Sequence, residues 1–276
     1  MNSLQRRWEG AKLRLRYWID NFYLRFIVGP SKRPDPIDIP VVFSHFIKSF
    51  GGETSDDLYL NVATRATNAD YIFRSENIVA ELKCLEIDPL DLKRADLMLR
   101  LLTKAGLTGS EIIQWSFGKI PLPPNGVRIL QTYFKKLIEK IARKANKQIA
   151  SSKATESLPS ALGVLLIAND NNYLFSPLHK YDLISDVMSR HLNSSEIKAV
   201  VFFSPNVPMI VPGSLREWLV WIPAYAPNPP QRLVDFIDRL GHEWGQHMMK
   251  NEGAPHLKFS DVPFGRNTLG RGRNLR

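Results

Sequence analysis

The sequence predicts an α/β protein, and three observations predict it. Residues 161–168 and 197–203 are near-continuous apolar runs, the mark of strands buried on both faces. Ahead of them, apolar residues 69–73 and 78–85 flank a polar 74–77, a hairpin pattern. Segments of helical period separate these strands. The resulting order is helix, hairpin, helix, strand, helix, strand, which a mixed central sheet with covered faces accommodates. A chain of 276 residues is long enough for a sizeable core.

In chain order, residues 1–28 set Trp8, Leu15, Trp18, Phe22 and Phe26 among Arg6, Arg7, Arg14, Arg16 and Arg25. That is a basic amphipathic helix. Packing on the main domain is the commonest fate of such a stripe and the one expected; contact with nucleic acid or a membrane surface are the alternatives. Residues 29–40 contain four prolines and read as a linker. A short helix over 41–50 ends at Gly51-Gly52. A first strand is expected over 57–63, where polar and apolar residues alternate. After the hairpin, a helix over 88–105 opens on Asp88-Pro89, and 106–126, rich in Gly and Pro, reads as irregular.

Residues 127–153 form the longest helix, with Leu130, Phe134, Leu137, Ile141, Ala145 and Ile149 at steps of three and four. Its other side carries Lys135, Lys136, Lys140, Arg143, Lys144 and Lys147. Residues 169–172 turn the chain, 177–191 are helical, and Trp218, Trp221 and Tyr225 belong to a final strand and loop. Residues 231–249 are helical. They contain His242-Glu243-Trp244-Gly245-Gln246-His247, which fails as a zinc-protease motif because its histidines stand five apart instead of four. The expected organisation is an arm and linker over 1–40, a main unit over 41–225, and a C-terminal helix with a basic tail over 226–276.

Net charge is +10 and uneven: +6 in residues 1–33, +7 in 127–153 and +4 in 265–276. Localised positive charge suits a polyanion, nucleic acid or an anionic membrane, although it also serves plain solubility. Cys84 is the lone cysteine, so no intrachain disulfide can form, and a reducing, cytoplasmic setting fits. No apolar run reaches the ~18 residues of a spanning helix, and no secretory leader is expected.

The chemistry concentrates in the hairpin. With a loop of two or four residues, paired positions sum to 151, and Asp70 lies opposite Glu81. Ala69, Tyr71, Phe73, Ile78, Ala80, Leu82 and Cys84 share one face. Ile72, Val79, Asp70, Glu81 and Lys83 share the other. Opposed carboxylates about 5 Å apart repel. A fold keeps such a pair when a cation fills the gap, and hard divalent metals prefer carboxylate oxygen.

Asp70 followed by Glu81-Leu82-Lys83 resembles the Asp…Glu-x-Lys signature of the PD-(D/E)XK nuclease superfamily, with Ala69 where that family usually has Pro. The resemblance covers about residues 41–205. It implies a restriction-endonuclease-like αβββαβ core, here with a helical basic N-terminal arm and a helical C-terminal extension. It implies Mg²⁺ or Mn²⁺ held by Asp70, Glu81 and the Leu82 carbonyl, and Lys83 assisting water activation or phosphate stabilisation. An extra acid from the first helix is often present; Glu53 is nearest, with Asp56 or Asp57 as substitutes. By the same resemblance Lys144, Lys147 and Gln148 approach the phosphodiester backbone. The expected activity is metal-dependent hydrolysis of DNA, or of RNA. The alternative is a catalytically silent nucleic-acid-binding module of the same fold. Homo-oligomers and membrane association through residues 1–28 are compatible with either.

Overall fold

Strand β4, Leu162–Ala168, sends Leu165 and Ile167 to one face of the sheet and Val164, Leu166 and Ala168 to the other, all buried. Two cores therefore sandwich it. The structure is a computed structural model that describes residues 37–59, 68–85, 95–116, 119–170, 172, 174–191, 195–210, 217–251 and 267–268. The readings for the basic arm, most of the linker, the start of the 88–105 helix and most of the tail lie outside the described residues.

The sheet is mixed, and its strands lie side by side in chain order. Strands β1 (Glu53–Thr54), β2 (Tyr71–Phe73) and β3 (Ile78–Cys84) pair antiparallel. Strands β3, β4 and β5 (Ile197–Ile210) run parallel. β6 (Glu217–Tyr225) returns antiparallel, and two residues, Asn267–Thr268, add β7 at its edge. The chain is thus α/β, as expected.

Helix α1 (Ile39–Phe50) begins where the Asp38 carboxylate accepts the Val41 N–H at 3.3 Å. It stops at Gly51, whose φ of +94° only glycine adopts without strain. Of the strand expected over 57–63, residues 57 and 58 belong instead to a four-residue helix α2 (Ser55–Leu58), and 60–63 lie outside the described residues. There the Thr54 hydroxyl accepts the Asp57 N–H, and acids fill the first turn, both helix-start features. The first strand is instead Glu53–Thr54.

Helix α3 (Ala95–Lys104) is followed by α4 (Gly109–Ser116), inside the stretch expected to be irregular. The Thr108 hydroxyl accepts the Glu111 N–H while the Glu111 carboxylate accepts the Thr108 N–H, a capping box that overrides the adjacent glycine. Helix α5 (Pro124–Thr155) starts three residues before the expected position, because a proline in the first helical turn gives up no hydrogen bond. Its buried line includes Ile138 and Ala142, with Leu137 and Ile141 half-buried beside it. Helix α6 (Pro177–His191) matches its expected span.

Helices α3 to α6 cover one face of the sheet. Helix α1 and α7 (Gln231–Asn251) cover the other, where the Trp244 ring meets Phe43 at 4.9 Å and Phe46 at 5.3 Å. The C-terminal helix, expected as an extension, is therefore a wall of the core. It approaches β6 through Gly241, where any Cβ would sit 2.3 Å from the Trp221 indole nitrogen. No helix among the described residues is long and apolar enough to cross a membrane.

Candidate active site

The hairpin folds in the expected register: Tyr71 faces Ala80, Ile72 faces Val79 and Phe73 faces Ile78. Residues 74–77 form the turn, closed by the Asn77 N–H on the Arg74 carbonyl at 3.1 Å, with Asn77 at φ +54°. One step beyond the ladder, Asp70 stands opposite Glu81. Each acid is bonded to the other strand's backbone. The Asp70 N–H donates to Glu81 Oε2 at 3.2 Å, and the Leu82 N–H donates to Asp70 Oδ2 at 2.8 Å. Lys83, two residues along on the same side, donates its ammonium to Glu81 Oε1.

Burial sets the electrostatics. The Glu81 side chain has no exposed surface, and that of Lys83 is 19% exposed. Burial, joined by the charge of Asp70, pushes the Glu81 carboxyl up to about 7 against the pull of Lys83. Burial also raises Asp70; the Leu82 amide and Lys83 oppose the shift, and the charge of Asp56 adds to it. Two desolvated acids thus share one ammonium, and negative charge there is incompletely offset.

Asp70 and Lys83 line a surface depression of about 470 Å³ together with Ser44, His45, Asp56 and Leu82 among others, whereas Glu81 lies behind them and does not line it. Ser44 and His45 come from α1 and were not anticipated; no motif marks them. The carbonyl and N–H of one strand residue point to the same side. The Leu82 carbonyl therefore faces the side on which its N–H meets Asp70, beyond the end of β2.

The other expected residues separate into two groups. Glu53 lies opposite Ile72, nearer the turn, and its carboxylate holds Arg74 at 3.0 Å instead of joining the acid pair. Asp57 is taken by Lys48 at 2.7 Å, whereas Asp56 is exposed in the depression. Among the described residues no group of three or more His, Cys, Asp or Glu side chains is arranged to hold a metal ion; the acid pair supplies two carboxylates. Lys144 and Lys147 are exposed. Gln148, expected beside them, is buried, and its Nε2 donates to the Asn68 carbonyl at 3.0 Å. One residue further along a helix turns the side chain by about 100°, from solvent into the core.

Ala69 also departs from expectation. It joins Val79 in the α5-side core, because the ladder begins only at Tyr71 and strict alternation does not extend back to it. Its N–H donates to the Ser152 hydroxyl at 2.7 Å. Ser151 and Ser152 had no sequence signal beyond being two serines late in a helix, where such residues bond locally instead of packing. Comparison with protein-family models, curated proteins and solved structures gives no match for this chain.

Proposed function

We propose that the chain is a divalent-metal-dependent phosphodiesterase acting on nucleic acid, DNA in the first instance, with Asp70, Glu81 and Lys83 as its working residues. The observation that carries this reading is the reciprocal bonding of Asp70 and Glu81 at the sheet edge, with the Lys83 ammonium on Glu81 and a depression alongside. The restriction-endonuclease-like core suggested by the sequence is part of the same proposal. The antiparallel β1–β3, the helical crossover and the parallel β4 are compatible with it.

The donor set fits a hard cation: one buried and one half-buried carboxylate, both held up in proton affinity by desolvation and Glu81 also by the charge of Asp70, plus a strand carbonyl directed to the side of Asp70. Mg²⁺ or Mn²⁺, when bound, supplies a water of lowered pKa and offsets charge on the scissile phosphate. Asp70 and Glu81 would hold it, with Leu82 O as a third oxygen. The Leu82 and Asp70 amides each fix one oxygen of a carboxylate, Asp70 Oδ2 and Glu81 Oε2. With the Glu81 charge engaged by a cation, the Lys83 ammonium would be able to donate to a phosphate oxygen. The exposed Lys136, Lys140, Arg143, Lys144 and Lys147 supply positive charge for the backbone of a long polyanion.

The test is cleavage of circular DNA, linear DNA and RNA by the purified chain with Mg²⁺ or Mn²⁺, and with EDTA. Metal-dependent cutting that disappears in Glu81→Ala and Lys83→Ala, at unchanged far-UV circular dichroism, is expected. Salt-sensitive binding without any cutting would select the silent binding module instead.

A further inference from the structure

Residues 68 and 69, which lead into Asp70, are held from outside the sheet. β2 starts at Tyr71, so the backbone of residues 68–70 takes its partners elsewhere. Ser55 N–H donates to the Asp70 carbonyl at 2.9 Å. The Asp70 N–H goes to Glu81 Oε2, and the bonds to residues 68 and 69 come from side chains on two consecutive turns of α5. Gln148 Nε2 donates to the Asn68 carbonyl at 3.0 Å, Ser151 Oγ donates to Asn68 Oδ1 at 3.1 Å, and Ser152 Oγ accepts the Ala69 N–H at 2.7 Å. Positions 148, 151 and 152 are spaced three and four apart, so they share one face of the helix.

That face is unlike the rest of α5. From Leu130 to Ala145 its buried residues are all apolar. At Gln148 and Ser152 the buried line turns polar, where the helix lies against residues 68–69. Burying polar groups is unfavourable unless they find partners; Gln148 Nε2 and Ser152 Oγ find them in backbone groups two and one residues from Asp70, while Gln148 Oε1 is left without one among the described residues.

We infer that Gln148, Ser151 and Ser152 form a clamp that positions Asp70 against Glu81, with Ser152 as its principal member. These are positioning residues: none touches the acids themselves. The chemical meaning of the clamp rests on the phosphodiesterase reading, whereas its geometry does not. The clamp sets where Asp70 stands, and so whether its carboxylate reaches the Leu82 N–H and its own N–H reaches Glu81.

Amide hydrogen exchange on the full chain in metal-free buffer tests the clamp directly. In Ser152→Ala, exchange at the Asp70 and Leu82 amides rises tenfold or more, while the ladder amides of Ile72 and Val79 stay within twofold. Ser152→Thr, which keeps the hydroxyl, stays near wild type. Ser151→Ala, at a half-buried position, gives a local rise of about threefold and is the deciding variant if Ser152→Ala does not fold. In Mn²⁺-supported cleavage, Ser152→Ala lowers kcat tenfold or more with KM unchanged. A local exchange effect in a chain that cuts nothing would keep the clamp and remove the phosphodiesterase reading. Exchange that is unchanged, or that rises alike at every amide, overturns the clamp. Loss of cutting in Asp70→Asn would then leave the nuclease reading standing.

Discussion

Two acids and one base meet at each end of the β2–β3 hairpin, and the two ends behave differently. At the turn, Arg74 holds Glu53 at 3.0 Å and Glu156 at 2.5 Å. At the open end, Lys83 holds Glu81 while Asp70 stands opposite. Each trio carries the same formal charge. The turn trio is the wetter one, with the Arg74 and Glu53 side chains 43% and 39% exposed and Glu156 at 13%. Burial alone would push Glu156 up, but bonds from Tyr59 and Arg74 hold its carboxyl below the usual range. The open-end trio is dry at its centre, and both of its acids rise. Equal composition therefore gives a settled ion-pair network in one place and an under-neutralised pair in the other, and desolvation makes the difference.

The comparison breaks most sharply at the level of activity. Glu81→Ala or Asp70→Asn is expected to lower metal-dependent cleavage by about 10³-fold or more, the scale on which removal of a preorganised electrostatic group acts. Glu53→Gln at the turn should leave cleavage within about threefold, well under one RT-scaled decade. Initial rates on plasmid DNA decide it, and equal losses at both ends would erase the distinction drawn here.

A second effect is on stability and its sign with pH. Glu81 ionises near its ordinary value of 4.5 when unfolded and at about 7 when folded. The folded state thus binds more protons across that window, and stability falls as pH rises from about 4.5 to 7. The loss is on the order of 3 kcal/mol. Urea unfolding of the metal-free chain at several pH values should show this slope, and Glu81→Gln should flatten it. Ionisation must precede metal binding, so added Mn²⁺ should raise the melting temperature more at pH 8 than at pH 6.

A smaller effect belongs to the exposed basic face of α5. Lys144→Ala with Lys147→Ala should weaken nucleic-acid binding roughly tenfold and reduce the slope of log K against log salt by about one to two, without changing unfolding. Smallest of all, Arg74→Ala at the wet turn should cost about 1 kcal/mol or less in urea unfolding, as exposed pairs do. A cost of several kcal/mol would place the turn trio in the same class as the buried one.

Much of the frame was legible in the residues. The register of the hairpin, the buried strands β4 and β5 and the span of α6 follow from period-two alternation, apolar runs and a helical stripe, all signals within about 15 residues. What was missed had identifiable causes. The capping box Thr108–Glu111 was hidden by the neighbouring Gly109 and nearby prolines. Thr54, which caps α2, was not singled out. Gln148 was grouped with Lys144 and Lys147 on chemistry, while its angular position turns it inward.

Given a turn with an even number of residues, the sequence by itself determined which residues oppose one another across the hairpin, because a two-residue period then leaves no freedom in the pairing. It also determined that two acids and a lysine cluster at its open end. Only the tertiary structure decided that Glu81 is sealed from water and Glu53 is not, and that α5 brings Ser152 against the Ala69 amide. Those outcomes depend on which helix lies over which residue. Desolvation is the sum of neighbours brought in from distant parts of the chain, and no local pattern encodes it.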